Sequence, residues 1–202
     1  MSDNYNNDNQ ITRKDAKNCF VESLNDSFGI GKIHFAFATY DASKPSGQRQ
    51  TNNVHIYIDV DEFLELCRKV EFGEFKFIMN QKKTAKDNTP IYETMGGTSA
   101  ENLARRGKSR PDGKSVSRIA KLSVASKGLF FTADSGVGET GPTGLIIPKF
   151  GSNPENHVSI LLTFESFSEL MLSTKVHYQA WLSAKYMSSF GKDNFSRGGF
   201  TQ

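Results

Sequence analysis

Between residues 105 and 127 the chain carries eight cationic side chains, Arg105, Arg106, Lys108, Arg110, Lys114, Arg118, Lys121 and Lys127, against one acid, Asp112. Lys82, Lys83 and Lys86 form a second cluster. Such runs draw in phosphates by releasing condensed counterions, whatever the base sequence. A solvated loop that only keeps the chain soluble has the same composition. The feature that separates the two is aromatic surface, because single-strand binders add rings on which bases stack. The outward positions of the strands described below offer Tyr40, His55 and Tyr57. The run "LFF" at 129–131 places Phe130 and Phe131 on opposite faces, so one ring, taken as Phe130, points away from the core. Each ring alone is better explained by core packing or by a surface cross-strand pair than by base stacking. Together with the charge they favour binding of a nucleic acid.

Other chemistries find less support. "GVGETG" (136–141) spells G-x-G-x-x-G, but a strand pattern, "GLIIPKF", follows it instead of a helix. The helix N-terminus that would hold a phosphate is therefore missing, and the stretch is expected to be a flexible hairpin loop. "GGTSAE" (96–101) reads as an ordinary helix cap. No Ser-His-Asp or Cys-His spacing can be argued and no carboxylate pairing stands out, so no enzyme is expected. The histidines at 34, 55, 157 and 177 lack metal-ligand spacing, and neither a metal nor a cofactor is expected. Cys19 and Cys67 form no C-x-x-C pair, which suits a reduced, cytoplasmic protein. No apolar run has membrane-span length, and "MSDNYNNDNQ" lacks the regions of a signal peptide, so no membrane partner is expected. The formal charge is only +3, so a polyanion must be met by local charge.

The elements that would position these groups follow from periodicity. "KIHFAFATY" (32–40) alternates Ile33, Phe35 and Phe37 against His34, Ala36 and Ala38, and "NVHIYID" (53–59) alternates Val54, Ile56 and Ile58 against His55 and Tyr57. Both are strand patterns. From Asp59 the apolar spacing changes to Phe63, Leu66, Cys67, Val70, one face of a helix that Asp59 or Asp61 can cap. Strands are also expected at 74–80, 90–94, 117–126, 129–134, 144–150 and 157–163. A last helix from Phe164 has the stripe Phe167, Leu170, Met171, Thr174, Tyr178, Trp181, Leu182, and Thr163 as its cap. Residues 12–25 read as a short helix. Residues 95–116 have little apolar content and read as a mobile basic excursion with one helical turn after Thr98.

One element occurs twice. "NVHIYIDVDEFLEL" (53–66) and "HVSILLTFESFSEL" (157–170) align without a gap, pairing Val54 with Val158, Ile56 with Ile160, Phe63 with Phe167, Glu65 with Glu169 and Leu66 with Leu170. Each is a strand that launches an amphipathic helix, and such a helix folds back to bury its stripe on the sheet. "ILLTFESFSELM" (160–171), with Thr163, Glu165, Phe167 and Leu170, resembles the closing strand and helix of the superfamily of Whirly proteins and the transcriptional coactivator positive cofactor four. Asp59, Asp61, Phe63 and Leu66 match that pattern in the first copy. The whole also resembles single-stranded-DNA-binding proteins of bacterial mobile elements. The resemblance implies curved antiparallel sheets that bind single-stranded nucleic acid without catalysis. The chain departs from the pattern in two places. Only two strands are legible before the first helix, and residues 95–116 have no counterpart.

The resulting expectation is an α+β protein of two related antiparallel sheet-plus-helix units, Whirly-like. Residues 1–10 would be disordered and 11–188 would form a single nucleic-acid-binding domain, with units at about 32–72 and 74–187. Residues 189–202 would be a flexible glycine-rich tail. The partner expected is single-stranded nucleic acid, DNA ahead of RNA, held with little sequence preference during replication or conjugative transfer of a mobile element. An RNA-binding or transcription-regulating module, and an interaction protein assembling through its C-terminal helix, are the alternatives. Whether the chain forms a homo-oligomer stays open.

Overall fold

The computed structural model describes residues 8–196. It is an α+β structure with two antiparallel sheets. The first sheet is a meander of β1 (Gln10–Ala16), β2 (Cys19–Leu24), β3 (Lys32–Tyr40) and β4 (Gln50–Asp59), in that spatial order. α1 (Val60–Glu71) follows directly, and α2 (Glu74–Ala85) leads to the second sheet. That sheet orders β5 (Tyr92–Thr98), β6 (Ser115–Ala125) and β7 (Gly128–Thr140), with α3 (Ala100–Arg105) inserted between β5 and β6. β8 (Ile146–Pro148) pairs with residues 138–140 of β7, and β9 (Asn156–Leu162) with residues 129–135. The two lie end to end along one edge of β7, so the sheet is four strands wide. α4 (Phe164–Ser196) closes the chain. Each half is thus a four-strand meander followed by a helix.

One core joins the halves. Phe35 and Phe37 of β3 meet Phe131 of β7, with ring centroids 5.8 and 4.7 Å apart, both edge to face. Phe167 of α4 touches Phe131 at 6.2 Å, and Phe63 of α1 touches Phe35 at 6.1 Å. These five rings are fully buried. Six more core positions are the paired Val54/Val158, Ile56/Ile160 and Leu66/Leu170, all buried. The repeated sequence therefore does the same work twice: a strand buries alternate β-branched residues, and its helix buries a Phe and a Leu against the sheet. The caps differ. Thr163 Oγ1 accepts from the Ser166 N–H at 3.1 Å. Asp59 stands at the N-cap of α1 without a side-chain cap bond, because its carboxylate accepts from Lys32 Nζ at 2.6 Å.

Several expectations are corrected. Residues 12–25 are not a helix but the β1–β2 hairpin, closed by a two-residue turn in which Asn18 takes φ +60°. Asn tolerates that left-handed geometry, and Cys19, Val21 and Ser23 alternate inward, a period of two. The hairpin supplies the two strands missing from the first half. Residues 74–80 are helical: Phe75 and Met79 are buried four apart while Phe77 is exposed, and Gly73, at φ +71°, breaks the chain away from α1. "GVGETG" is no loop but largely the far half of β7, running to Thr140. Its glycines make room for packing: a Cβ on Gly136 would stand 2.8 Å from the Phe150 ring, and one on Gly138 would stand 2.6 Å from Ile146. Residues 95–116 hold the end of β5, all of α3 and the start of β6. The helix of the C-terminal region runs to Ser196, into the expected tail; residues 1–7 and 197–202 lie outside the described residues.

Candidate nucleic-acid interface

The face of the first sheet turned away from the core carries rings and charge. Along β4 it presents His55 and Tyr57, and Tyr57 is 45% exposed. The Tyr57 ring stacks on His34 of β3, centroids 4.4 Å apart and planes 21° from parallel. His34 is buried; its Nδ1 lies 2.8 Å from Asp26 Oδ1 and its Nε2 lies 2.8 Å from His55 Nδ1. Tyr57 is thereby held by a stacked neighbour that is itself tied at both nitrogens. Further along the same face, Arg13 of β1 lies over the Phe20 ring at 3.6 Å, and Phe20 stands 6.4 Å from Tyr40. Reading residues 12–25 as a helix hid Arg13 and Phe20; the alternation of Cys19, Val21 and Ser23 was the signal that could have found them.

The cations arrive from the second sheet. On β6, Arg118 shares a face with Ala120 and Leu122, which are core residues. One step beyond the packed region it meets polar groups instead. Its guanidinium donates to Thr98 Oγ1 of β5 at 3.0 Å. α3 brings a second cation. Ser99 caps it by accepting from the Asn102 N–H at 3.2 Å, Ser115 Oγ accepts from the Ala100 N–H at 3.1 Å, and Leu103 anchors it in the interior. Arg106, the residue just past its C-terminal end, is exposed beside the same site.

Tyr57, Arg106 and Arg118 line one cleft of about 600 Å³. It runs between β4 and β5, the edge strands of the two sheets. Met95, Leu145 and Ile146 add apolar surface, and Asp59 and Glu62 line it as well. Burial pushes the Tyr57 phenol up, as does Asp26, while Arg118 and Arg106 pull it back. Burial holds the His55 imidazole down, to about 4, helped by His34, Arg118 and Lys108. Burial also lowers Arg118, which stays a cation because an arginine starts so high.

The remaining expected contacts divide. Lys108 is exposed and close enough to act on His55. Lys121 is three residues from Arg118 and so on the opposite face of β6, paired with Glu93 at 3.5 Å. Phe130 is exposed on that opposite face too, registered with Leu161. Arg110 is committed elsewhere, forked onto Asp112 at 2.9 Å and Glu155 at 2.6 Å. Lys82 binds Asp87 and Thr89, each at 2.6 Å, and Lys83 donates to the Ser126 carbonyl at 3.2 Å. Arg105 donates to the side chain of Asn102. Lys114, just before β6, and Lys127, in the β6–β7 turn, are exposed and do not line the cleft. The structure therefore brings together Tyr57, Arg106, Lys108 and Arg118, with Tyr40 farther along the face, and separates the others. Sequence reasoning missed Asp26, His34 and Glu62, which are distant along the chain and match no motif. Comparison with protein-family models and with curated proteins finds no match.

Proposed function

We propose that this protein binds single-stranded nucleic acid, with Tyr57 as a base platform and Arg118, Arg106 and Lys108 as phosphate contacts. The observation that carries the reading is convergence. A half-exposed ring on one sheet and two arginines from the other, about 50 to 60 residues away in sequence, line one cleft. A ring beside cations is the pairing that single-strand binding requires, since stacking holds any base and charge holds any phosphate. Binding is accordingly indifferent to sequence along most of the strand. The preference for DNA over RNA, and a role in replication or conjugative transfer of a mobile element, rest on the resemblance to Whirly-type and mobile-element proteins. No helix among the described residues is long and apolar enough to cross a membrane.

The test is a titration of labelled single-stranded and duplex DNA at two salt concentrations. Single strands should bind more tightly, with affinity falling as salt rises by a log–log slope of about −0.7 per phosphate contacted. Equal affinity for both forms, or none at low salt, overturns the reading. One observation favours a second reading, assembly through α4: Val176, Tyr186 and Met187 are exposed on it. A concentration-dependent rise in mass by light scattering, in a protein indifferent to nucleic acid, would favour that alternative.

A further inference from the structure

The β5 wall of the cleft beside Tyr57 carries a row of polar groups. Thr94, Gly96 and Thr98 of β5 share one face. At one end Thr98 accepts from Arg118, and at the other Thr94 donates to a Glu62 carboxylate oxygen at 3.5 Å. Four residue steps along the strand separate the two threonines, about 13 Å at some 3.3 Å per residue. Between them Gly96 contributes no side chain, and a Cβ built there would meet nothing within 4 Å. The cleft thus has two arginines at one end, an open middle walled by Tyr57, and at the other end the carboxylates of Asp59 and Glu62 with Lys32. There Asp59 is taken by Lys32. Glu62, half-buried at the start of α1, forms no ion pair among the described residues. Its carboxylate accepts from the Thr94 hydroxyl and has the buried Tyr92 phenol beside it, and a carboxylate has acceptor positions beyond those two.

We propose that the cleft receives one nucleotide of the bound strand, its phosphate at Arg106 and Arg118 and its base beside Tyr57, and that Glu62 selects guanine at that position. The inference rests on the nucleic-acid reading above. From phosphate to the far edge of its base a nucleotide has a length comparable with the roughly 13 Å between the two threonines that contact Arg118 and Glu62. Single-stranded bases are read on their Watson–Crick edges. Guanine alone presents two adjacent donors there, N1–H and an N2 amino hydrogen, and one carboxylate accepts both. Cytosine and adenine offer one amino group beside a ring nitrogen whose lone pair faces the second carboxylate oxygen. Thymine offers a single N–H between two carbonyls. Glu62 thus rewards guanine and repels the others, at one position in a footprint otherwise read by charge and stacking.

The experiment compares labelled oligothymidylates of equal length carrying at their centre one guanine, one hypoxanthine, one adenine or no replacement. Hypoxanthine keeps N1–H and lacks the amino group. The guanine strand should bind about 5- to 100-fold more tightly than plain oligothymidylate, the discrimination of one good bidentate pair, with hypoxanthine between them. In Glu62→Gln the ratio of guanine to plain affinity should fall to near one. Gly96→Leu, which fills the open middle at a position with no positive φ, should remove the ratio as well. Equal binding of all four strands by the parent protein, or a guanine preference that survives Glu62→Gln, overturns the guanine site while leaving strand binding intact. Failure of every strand to bind overturns the nucleic-acid reading itself, and this inference with it.

Discussion

His34 Nε2 lies 2.8 Å from His55 Nδ1, while His34 Nδ1 lies 2.8 Å from Asp26 Oδ1. With the Asp26 carboxylate oxygen as acceptor, a neutral His34 donates from Nδ1 and accepts at Nε2. His55 must then donate from Nδ1, which leaves its Nε2 unprotonated. A proton added anywhere in this chain converts that nitrogen into a donor. His55 is held down to about 4, by burial first and then by His34 and Arg118. The unfolded chain, with an ordinary imidazole, binds more protons between about pH 6.5 and 4, so stability rises with pH across that window. It is complete above the window and lost as pH falls through it. The loss from His55 is on the order of 2–3 kcal/mol, reduced by its partial exposure. Other groups face it: Asp26, Arg118 and Lys108, with Tyr57 alongside. Urea unfolding at pH 7 and pH 4.5 checks this. His55→Gln, which cannot titrate, should show a distinctly smaller loss than the parent. An equal loss in both would remove His55 from the account.

Arg118 and Lys121 separate charge at the cleft from charge merely near it. Arg118→Ala should weaken all strands and flatten the salt dependence by about 0.7 for each phosphate released. Lys121→Ala should leave the slope close to the parent's, because its partner is Glu93 on the other face of the sheet. A salt titration of both variants decides it, and identical slopes would place the phosphate track elsewhere.

Tyr57→Ala should act on affinity without acting on that slope. Losing a stacking platform costs about 1–3 kcal/mol per base, while the count of phosphates contacted is unchanged. Binding as tight as the parent's would show that the outer face of β4 is not where bases sit.

These contrasts mark what periodicity can and cannot read. The change from period two to period 3.6 at Asp59 and again at Thr163 was legible, and so were the buried Phe63 and Phe167, because an element's own alternation fixes which side it buries. Phe75 and Phe77 alternate like a strand, yet tertiary packing chose the helix that buries Phe75 with Met79. Charge was harder still. A run of like residues reports only composition, and the partners that commit Arg110 and Lys82 lie on other segments or carry no pattern. Arg118 and Tyr57 were both legible as candidates, but their meeting required β4 of one sheet to pack against β6 of the other.

Cys67 gives a prediction independent of any ligand. Burial pushes its thiol up to about 12, with Lys175 opposing and Glu71 reinforcing, and Sγ lies 3.7 Å from the Met171 carbonyl. Since the thiolate is the reactive form, almost none exists at pH 8. Cys19 is raised as well, by burial first and then by Asp15. Alkylation of the native protein with a maleimide at pH 8 should be slow at both sites and rapid at both in urea. Fast native labelling of Cys67 would mean that the contact of α1 with α4 opens readily.

Arg110 should govern how firmly the basic segment is held. Its guanidinium donates to Glu155 at 2.6 Å through two nitrogens, and to Asp112 at 2.9 Å. Hydrogen bonding to Glu155 first, and to Asp112 next, raises it further above the usual arginine range; the same bonds hold Asp112 down to about 2. The side chain is only 17% exposed, so this forked pair is better shielded than an ordinary surface ion pair. It ties the chain between α3 and β6 to the connection leading into β9. Arg110→Ala frees that loop and leaves two carboxylates without their cation. Trypsin should therefore cut the variant after Arg105, Arg106 or Lys108 several times faster than the parent. The global urea midpoint should move little, because the partners of Arg110 are carboxylates at the surface. Bound single-stranded DNA should slow cleavage after Arg106 and Lys108 in both proteins, as those two cations stand beside Tyr57 and His55. Cleavage equally fast in parent and variant would mean that the segment is held by α3 and Leu103 alone.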